Sequence, residues 1–132
     1  MGTIFSLPAS GGTPTALASF GGANGDYPDS LILVGDRLFG TTKFGGLDGD
    51  GTVFSYSVAS GGLTLLASFD GTDGANPYGP LTLVGSTLYG ATQGGGTFND
   101  GTVFSIPIPE PRMSVLPTIL LAALIRKRPR SC

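Results

Sequence analysis

The side chains best suited to chemistry in this 132-residue chain are carboxylates set among glycines, Asp48-Gly49-Asp50-Gly51 and Asp70-Gly71-Thr72-Asp73-Gly74. Closely spaced carboxylates and loop carbonyls suit a hard cation such as calcium, and a carboxylate pair such as Asp48 and Asp50 could act as general acid and base. Neither stretch supplies the third ligand and the position-12 glutamate of an EF-hand loop, and Asp-Gly steps are ordinary turn chemistry. Turn formation is therefore the preferred reading, and no metal or cofactor is expected. Asn99-Asp100 repeats the first pair only in part. Histidine is absent, the single cysteine is the terminal Cys132, and no Ser or Thr has a recognisable base partner. No catalytic residue is assigned, and the chain reads as a non-enzyme. The Gly-Gly steps lack the lysine of a phosphate loop. Tyr27 and Tyr78 fall in what read as loops between blades, where exposed aromatics could stack on sugars or peptide side chains. They are the candidate ligand-loop residues, with packing inside the loop as the plainer role.

The elements that carry these residues recur. Gly2-Thr3-Ile4-Phe5-Ser6 returns as Gly51-Thr52-Val53-Phe54-Ser55 and as Gly101-Thr102-Val103-Phe104-Ser105, offsets of 49 and 50 residues. Leu17-Ala18-Ser19-Phe20 returns as Leu66-Ala67-Ser68-Phe69, and Leu33-Val34-Gly35 as Leu83-Val84-Gly85. Such an array has to be read by its repeat. Each unit divides into four short apolar runs separated by turn residues. Leu31 to Val34 and Leu38 to Thr42 flank Gly35-Asp36, as Leu81 to Val84 and Leu88 to Thr92 flank Gly85-Ser86, the pattern of hairpins. The Gly-Thr-Val-Phe run is the third strand. A turn at Ala59-Ser60-Gly61-Gly62 leads to the fourth.

Period-2 alternation places Phe54, Tyr56 and Val58 on one face of the third strand and Val53, Ser55 and Ser57 on the other. In the fourth, Leu63, Leu65, Ala67 and Phe69 form a face to be buried between neighbouring sheets. Phe5, Phe54 and Phe104, recurring at one strand position, are expected in the core.

The 23 glycines and the lack of a helical pattern in the body predict an all-β fold. Four strands per unit of about 50 residues predict propeller-like blades in an incomplete array. The divisions are a partial repeat over 1–30 (two strands and an inter-blade loop), a complete blade over 31–80, a partial repeat of three strands over 81–106, and a tail over 107–132. Met1 abuts the repeat mark with no secretory signal before it, which suggests loss of an N-terminal part. Residues 1–108 hold Arg37 and Lys43 against eight Asp, a net of −6, whereas 109–132 carry +4. An acidic body has no basic stripe for phosphate backbones, so nucleic acid is not an expected partner.

Gly74, Pro77, Leu81, Leu88-Tyr89-Gly90, Thr92, Gly95-Gly96 and Gly101 to Phe104 together resemble the glycine-rich bacterial surface repeat called the GloVer repeat, over about residues 2 to 105. The central copy departs by Phe39 in place of tyrosine and by one residue, since Pro28 lies three positions before Leu31 whereas Pro77 lies four before Leu81. A shortened inter-blade loop is expected to absorb that residue. The end of the chain resembles a PEP-CTERM sorting signal: Pro109-Glu110-Pro111, an apolar run over 113–125 expected as a short helix, and the basic residues Arg126, Lys127, Arg128 and Arg130. This second resemblance implies recognition by an exosortase-type membrane protease and insertion of the tail in the membrane. The apolar run covers only about 20 Å as a helix, against about 30 Å of hydrocarbon.

The resulting expectation is a non-enzymatic exported repeat protein, sorted through its tail to the bacterial cell envelope, surface or extracellular matrix. Its role would be structural or adhesive, with glycans or matrix components as partners. Two rivals remain: a fragment of a β-propeller enzyme whose catalytic residues lie in missing blades, and a non-functional gene remnant.

Overall fold

Short runs of β-branched and aromatic residues between glycines form ten strands: β1 (Gly2–Ser6), β2 (Thr15–Phe20), β3 (Asp26–Val34), β4 (Arg37–Phe44), β5 (Thr52–Ser57), β6 (Leu63–Ser68), β7 (Ala75–Pro77), β8 (Thr82–Val84), β9 (Thr87–Gly94) and β10 (Thr102–Pro107). The computed structural model describes residues 1–108, which contain no helix. The protein is all-β, as the glycine-rich repeat predicts. The helix expected over 113–125 lies outside the described residues.

The strands make three antiparallel sheets. The first is the β1-β2 pair, the middle one a meander in the order β3-β4-β5-β6, and in the third β9 pairs with β10 on one side and with both β7 and β8 on the other. The β3-β4 and β8-β9 connections are two-residue turns that open on Gly35 and Gly85, at φ 64° and 63°. Glycine at that position with positive φ matches the right-handed twist of the flanking strands. The sheets pack in chain order. Ile4 and Phe20 of the first meet Phe54 and Tyr56 of the middle one, and Val34 and Phe39 of the middle one meet Leu81, Leu88 and Ile108. No closed barrel or propeller ring is formed among the described residues.

Glycines let these layers approach. Gly40 and Gly90 sit opposite Phe54 and Phe104 on the neighbouring strand, and a Cβ on Gly90 would lie 2.5 Å from the Phe104 ring. The missing side chain is the space the ring fills. Between sheets, a Cβ on Gly51 would lie 2.6 Å from Cδ of Pro77, and Gly2 stands in the same relation to Pro28. Inside the sheets, the Thr42 and Thr52 hydroxyls pair at 2.7 Å, as those of Thr92 and Thr102 do at 2.9 Å, so buried polar groups are satisfied.

Several expectations change on contact with the structure. Phe5 is not in the core: it is 58% exposed, while its neighbour Ile4 is buried against the middle sheet. No sheet among the described residues covers the other side of β1. All six residues of β5 are buried, the polar face as well as the apolar one, because sheets lie on both sides. Val58, past the end of the strand, is exposed. In β6 the expected alternation breaks: Val53 pairs with Ala67 but Phe54 with Leu65, so Leu66 is an extra, bulged residue. Leu65 and Leu66 are both exposed, and Phe69 supplies the burial.

The one-residue difference between copies is taken up within the first strand, not in a loop between blades. β3 runs unbroken through nine residues with an irregularity between Pro28 and Ser30. Its counterpart splits into β7 and β8 around Tyr78-Gly79-Pro80-Leu81, where Gly79 has a φ of 88° and Pro80 has no N–H to give the ladder.

Candidate functional site

Tyr27 lies inside β3, not in a loop, and Tyr78 lies between β7 and β8. Both are exposed, and the reason is local backbone geometry. The residue before each packed proline takes a left-handed conformation, Tyr27 at φ 59° and Asn76 at 58°. That turns each proline onto Gly2 or Gly51 of the preceding sheet, and in the first case sends the tyrosine ring outward. The amide N–H groups at these positions donate to the preceding sheet, Tyr27 to the Met1 carbonyl at 3.4 Å and Asn76 to the Asp50 carbonyl at 2.7 Å. A costly φ is thus held by a hydrogen bond on one side and a packed ring on the other.

The two tyrosines are joined through β4. The Tyr27 ring meets Phe44 edge to face, with centroids 5.6 Å apart and planes at 80°. Lys43 Nζ stands 5.8 Å from the Phe44 centroid and 5.4 Å from that of Tyr78. Tyr27, Phe44, Lys43 and Tyr78 therefore form one row that crosses from the middle sheet to the third. Its geometry is fixed from below. Asn76 Nδ2 donates to the Lys43 carbonyl at 3.0 Å, the Tyr78 N–H donates to the Ala91 carbonyl at 3.1 Å, and the Gly79 N–H donates to Asp29 Oδ2 at 2.8 Å. A shallow, open cleft of about 470 Å³ lies beside the row, lined by Asp29, Ser30, Leu31, Tyr78, Gly79 and Pro80. Aromatic faces around a cation suit planar or ring-shaped ligands, and Asp29 and Ser30 offer polar partners beside them.

The Asp70 and Asp73 carboxylates have structural work. Asp70 Oδ1 accepts hydrogen bonds from the Thr72 hydroxyl at 2.7 Å and from the Thr72 and Asp73 N–H groups, and these hold its carboxyl below the usual carboxylate range. Asp73 Oδ1 accepts from the Asp70 N–H at 3.0 Å, a bond that Asn24 Oδ1 makes to the Gly21 N–H at 2.9 Å one repeat earlier. An amide does the same work there, so the contact needs a turn acceptor, not a charge. Asp48 and Asp50 lie in a loop whose base is closed by a Gly45–Asp50 bridge, matched by Gly95–Asp100. Among the described residues no three or more His, Cys, Asp or Glu gather in a group that could hold a metal ion.

A family model described as the Gloeobacter/Verrucomicrobia repeat matches residues 1–122. The chain belongs to the Gloeobacter/Verrucomicrobia repeat family. Neither a curated protein nor a solved structure matches it. Within this Gloeobacter/Verrucomicrobia repeat protein, Lys43 and Phe44 are the site residues that sequence reasoning missed. The available signal was the length of the second strand, which continues two residues past Thr42 and carries its last side chains to the rim. The sorting motif Pro109, Glu110 and Pro111, the apolar run over 113–125 and the basic residues Arg126, Lys127, Arg128 and Arg130 lie outside the described residues. No helix among the described residues is long and apolar enough to cross a membrane.

Proposed function

We propose that this chain is a non-enzymatic structural or adhesive module in which the sheets are consecutive blades of a propeller-like array, displayed at the bacterial envelope, surface or extracellular matrix. The observation that carries the binding role is the row Tyr27, Phe44, Lys43 and Tyr78, exposed aromatic rings around one cation along the boundary between two sheets. Saccharide rings of a glycan, or matrix components bearing them, are the ligands this row suits, because their C–H faces stack on aromatics while their hydroxyls find Asp29 and Ser30. Placement outside the cell is the office of the tail. Pro109-Glu110-Pro111, the apolar run and the basic end would engage an exosortase-type protease, the basic residues holding the end on the cytoplasmic side.

The test is saturable binding of the 132-residue protein to immobilised bacterial polysaccharides, compared with Tyr27→Ala and Tyr78→Ala. Each loss of a ring should weaken binding about fivefold to tenfold, the worth of roughly 1–1.5 kcal/mol of aromatic contact. Binding that is absent, or indifferent to both rings, sinks the adhesive reading.

A further inference from the structure

Six turns of this protein hold an Asn or Asp directly before a glycine: Asn24-Gly25, Asp48-Gly49, Asp50-Gly51, Asp70-Gly71, Asp73-Gly74 and Asp100-Gly101. At such a step a chain can rearrange its own backbone, because glycine has no Cβ to shield its amide nitrogen from the side chain just before it. The reaction needs that nitrogen free and room for a five-membered ring. In four of the six the nitrogen is already committed. The Gly25 N–H donates to the Gly22 carbonyl at 3.1 Å, and those of Gly51, Gly71 and Gly101 donate to the carbonyls of Gly45, Gly74 and Gly95, each at 3.0 Å. At Asp73-Gly74 the space is taken instead. Gly74 is buried, with Thr102 Oγ1 2.7 Å from where a Cβ would stand. The Thr102 hydroxyl donates to the Asp73 carbonyl at 3.2 Å, and Asp73 Oδ1 accepts from the Asp70 N–H.

Asp48-Gly49 differs from the other five. Neither the Gly49 N–H nor the Asp48 carboxylate has a hydrogen-bond or ion-pair partner among the described residues. Both residues are exposed, and a Cβ on Gly49 would meet nothing within 4 Å. The chain to either side is held, since the Leu47 N–H donates to Ser68 Oγ at 2.8 Å and the Gly51 N–H closes on Gly45. This loop joins β4 to β5 in the middle sheet, which has a neighbour on each side. Gly45 lies against Gly22 and Gly25 of the preceding unit, and Gly51 against Pro77 of the next. The exposure of the 48–49 step therefore belongs to the rim of the stack.

We infer that Asp48 is where this protein isomerises its own backbone to isoaspartate, with water as the co-reactant. The Gly49 nitrogen bonds to Asp48 Cγ. Its proton and the carboxyl hydroxyl leave as one water, and a succinimide ring joins the two residues. A second water then opens the ring. Cleavage of the N–Cγ bond restores aspartate, whereas cleavage between that nitrogen and the Asp48 α-carbonyl carbon leaves Gly49 attached through Cγ. No atom is gained or lost overall, but the main chain lengthens by one methylene and the free carboxylate moves to Cα. The held flanks confine the change to the loop, so the pairing of β4 with β5 is kept.

The experiment follows isoaspartate by electron-transfer fragmentation of peptides from the full 132-residue protein, aged at neutral pH either folded or in guanidinium chloride. Each step's folded rate is divided by its own denatured rate, which removes the intrinsic difference between Asn and Asp. That ratio should be near unity at Asp48 and lower by about tenfold or more at the other five, since a bonded or enclosed step reacts only after local opening. Asp48→Glu, which would have to close a six-membered ring, should leave no isoaspartate in the peptide that spans residues 48 and 50. Its thermal melting should match the parent's. A ratio at Asp48 as low as at the other steps, equal ratios at all six, or isoaspartate that persists in the Asp48→Glu peptide each overturn the inference.

Discussion

The same five-residue mark occurs at the start, middle and end of the described chain, and its fate differs each time. In the middle sheet Val53 and Phe54 are both 0% exposed. In β1 the aliphatic residue is buried and the phenylalanine is out, whereas in β10 the phenylalanine is half-buried and Val103 is 81% exposed. Local sequence and strand assignment are nearly constant, but β5 has a partner on both edges whereas β1 pairs only with the strand after it and β10 only with the strand before it. The layers in front and behind change as well. Burial in a stacked repeat is thus a property of position in the array, and end units cannot bury their own apolar faces.

The sharpest break in that comparison is at the phenylalanines. Phe54→Ala should cost about 4 kcal/mol by chemical denaturation, since it empties a fully enclosed site beside Phe20 and opposite Gly40. Phe5→Ala should stay within about 0.5 kcal/mol of the parent. Equal losses would mean that the front of β1 is covered in solution. A smaller contrast lies in the threonine pairs. Thr42→Val leaves the fully buried Thr52 hydroxyl without its partner and should cost about 1–2 kcal/mol, and Thr92→Val, in the less enclosed third sheet, less than half of that. The same denaturation curves decide it, and a reversed order would place the tighter core at the end of the stack.

The smallest effect separates two turns one repeat apart. Asp70 has its carboxyl lowered, first by the Thr72 hydroxyl and then by Asp73, so its contribution to stability is present above its ordinary value of 3.8 and is lost as pH falls through the lowered folded-state value. The carbon-13 titration of the Asp70 carboxyl should show a midpoint below 3.8, moved upward by Thr72→Ala. The Asn24 turn has no such acid dependence of its own, because an amide holds it. A midpoint at or above the ordinary value would dissolve the distinction between the two.

The repeat made the order of elements legible. Glycine turns, alternating apolar residues and three copies of one mark locate the third strands, the hairpins at Gly35 and Gly85 and the four-stranded middle sheet. Burial at the ends was not legible, because Phe5 and Phe54 look identical along the chain and differ only in what lies across from them. The bulge at Leu66 also escaped, since an extra residue in a strand leaves composition unchanged while moving every later side chain to the other face. The site was half visible. Tyr27 and Tyr78 stood out as aromatics in what read as loops between blades, but Lys43 and Phe44 join them only through the reach of β4, a contact across sheets that no spacing along the chain encodes.

The Gly51–Pro77 contact constrains how such a gene can change length. Gly2 and Gly51 each leave space for a proline that lies 26 residues on, and the left-handed residue before that proline is pinned by a carbonyl immediately before the glycine. Duplication or deletion of a whole period carries the donor and the acceptor of this fit together, so the new junction is sterically the same as the old. An exchange that puts any other residue at the glycine position places a Cβ where the proline ring lies. Recombination in steps of one repeat therefore preserves this junction, so the array can grow or shrink by whole units without remaking the fit between sheets.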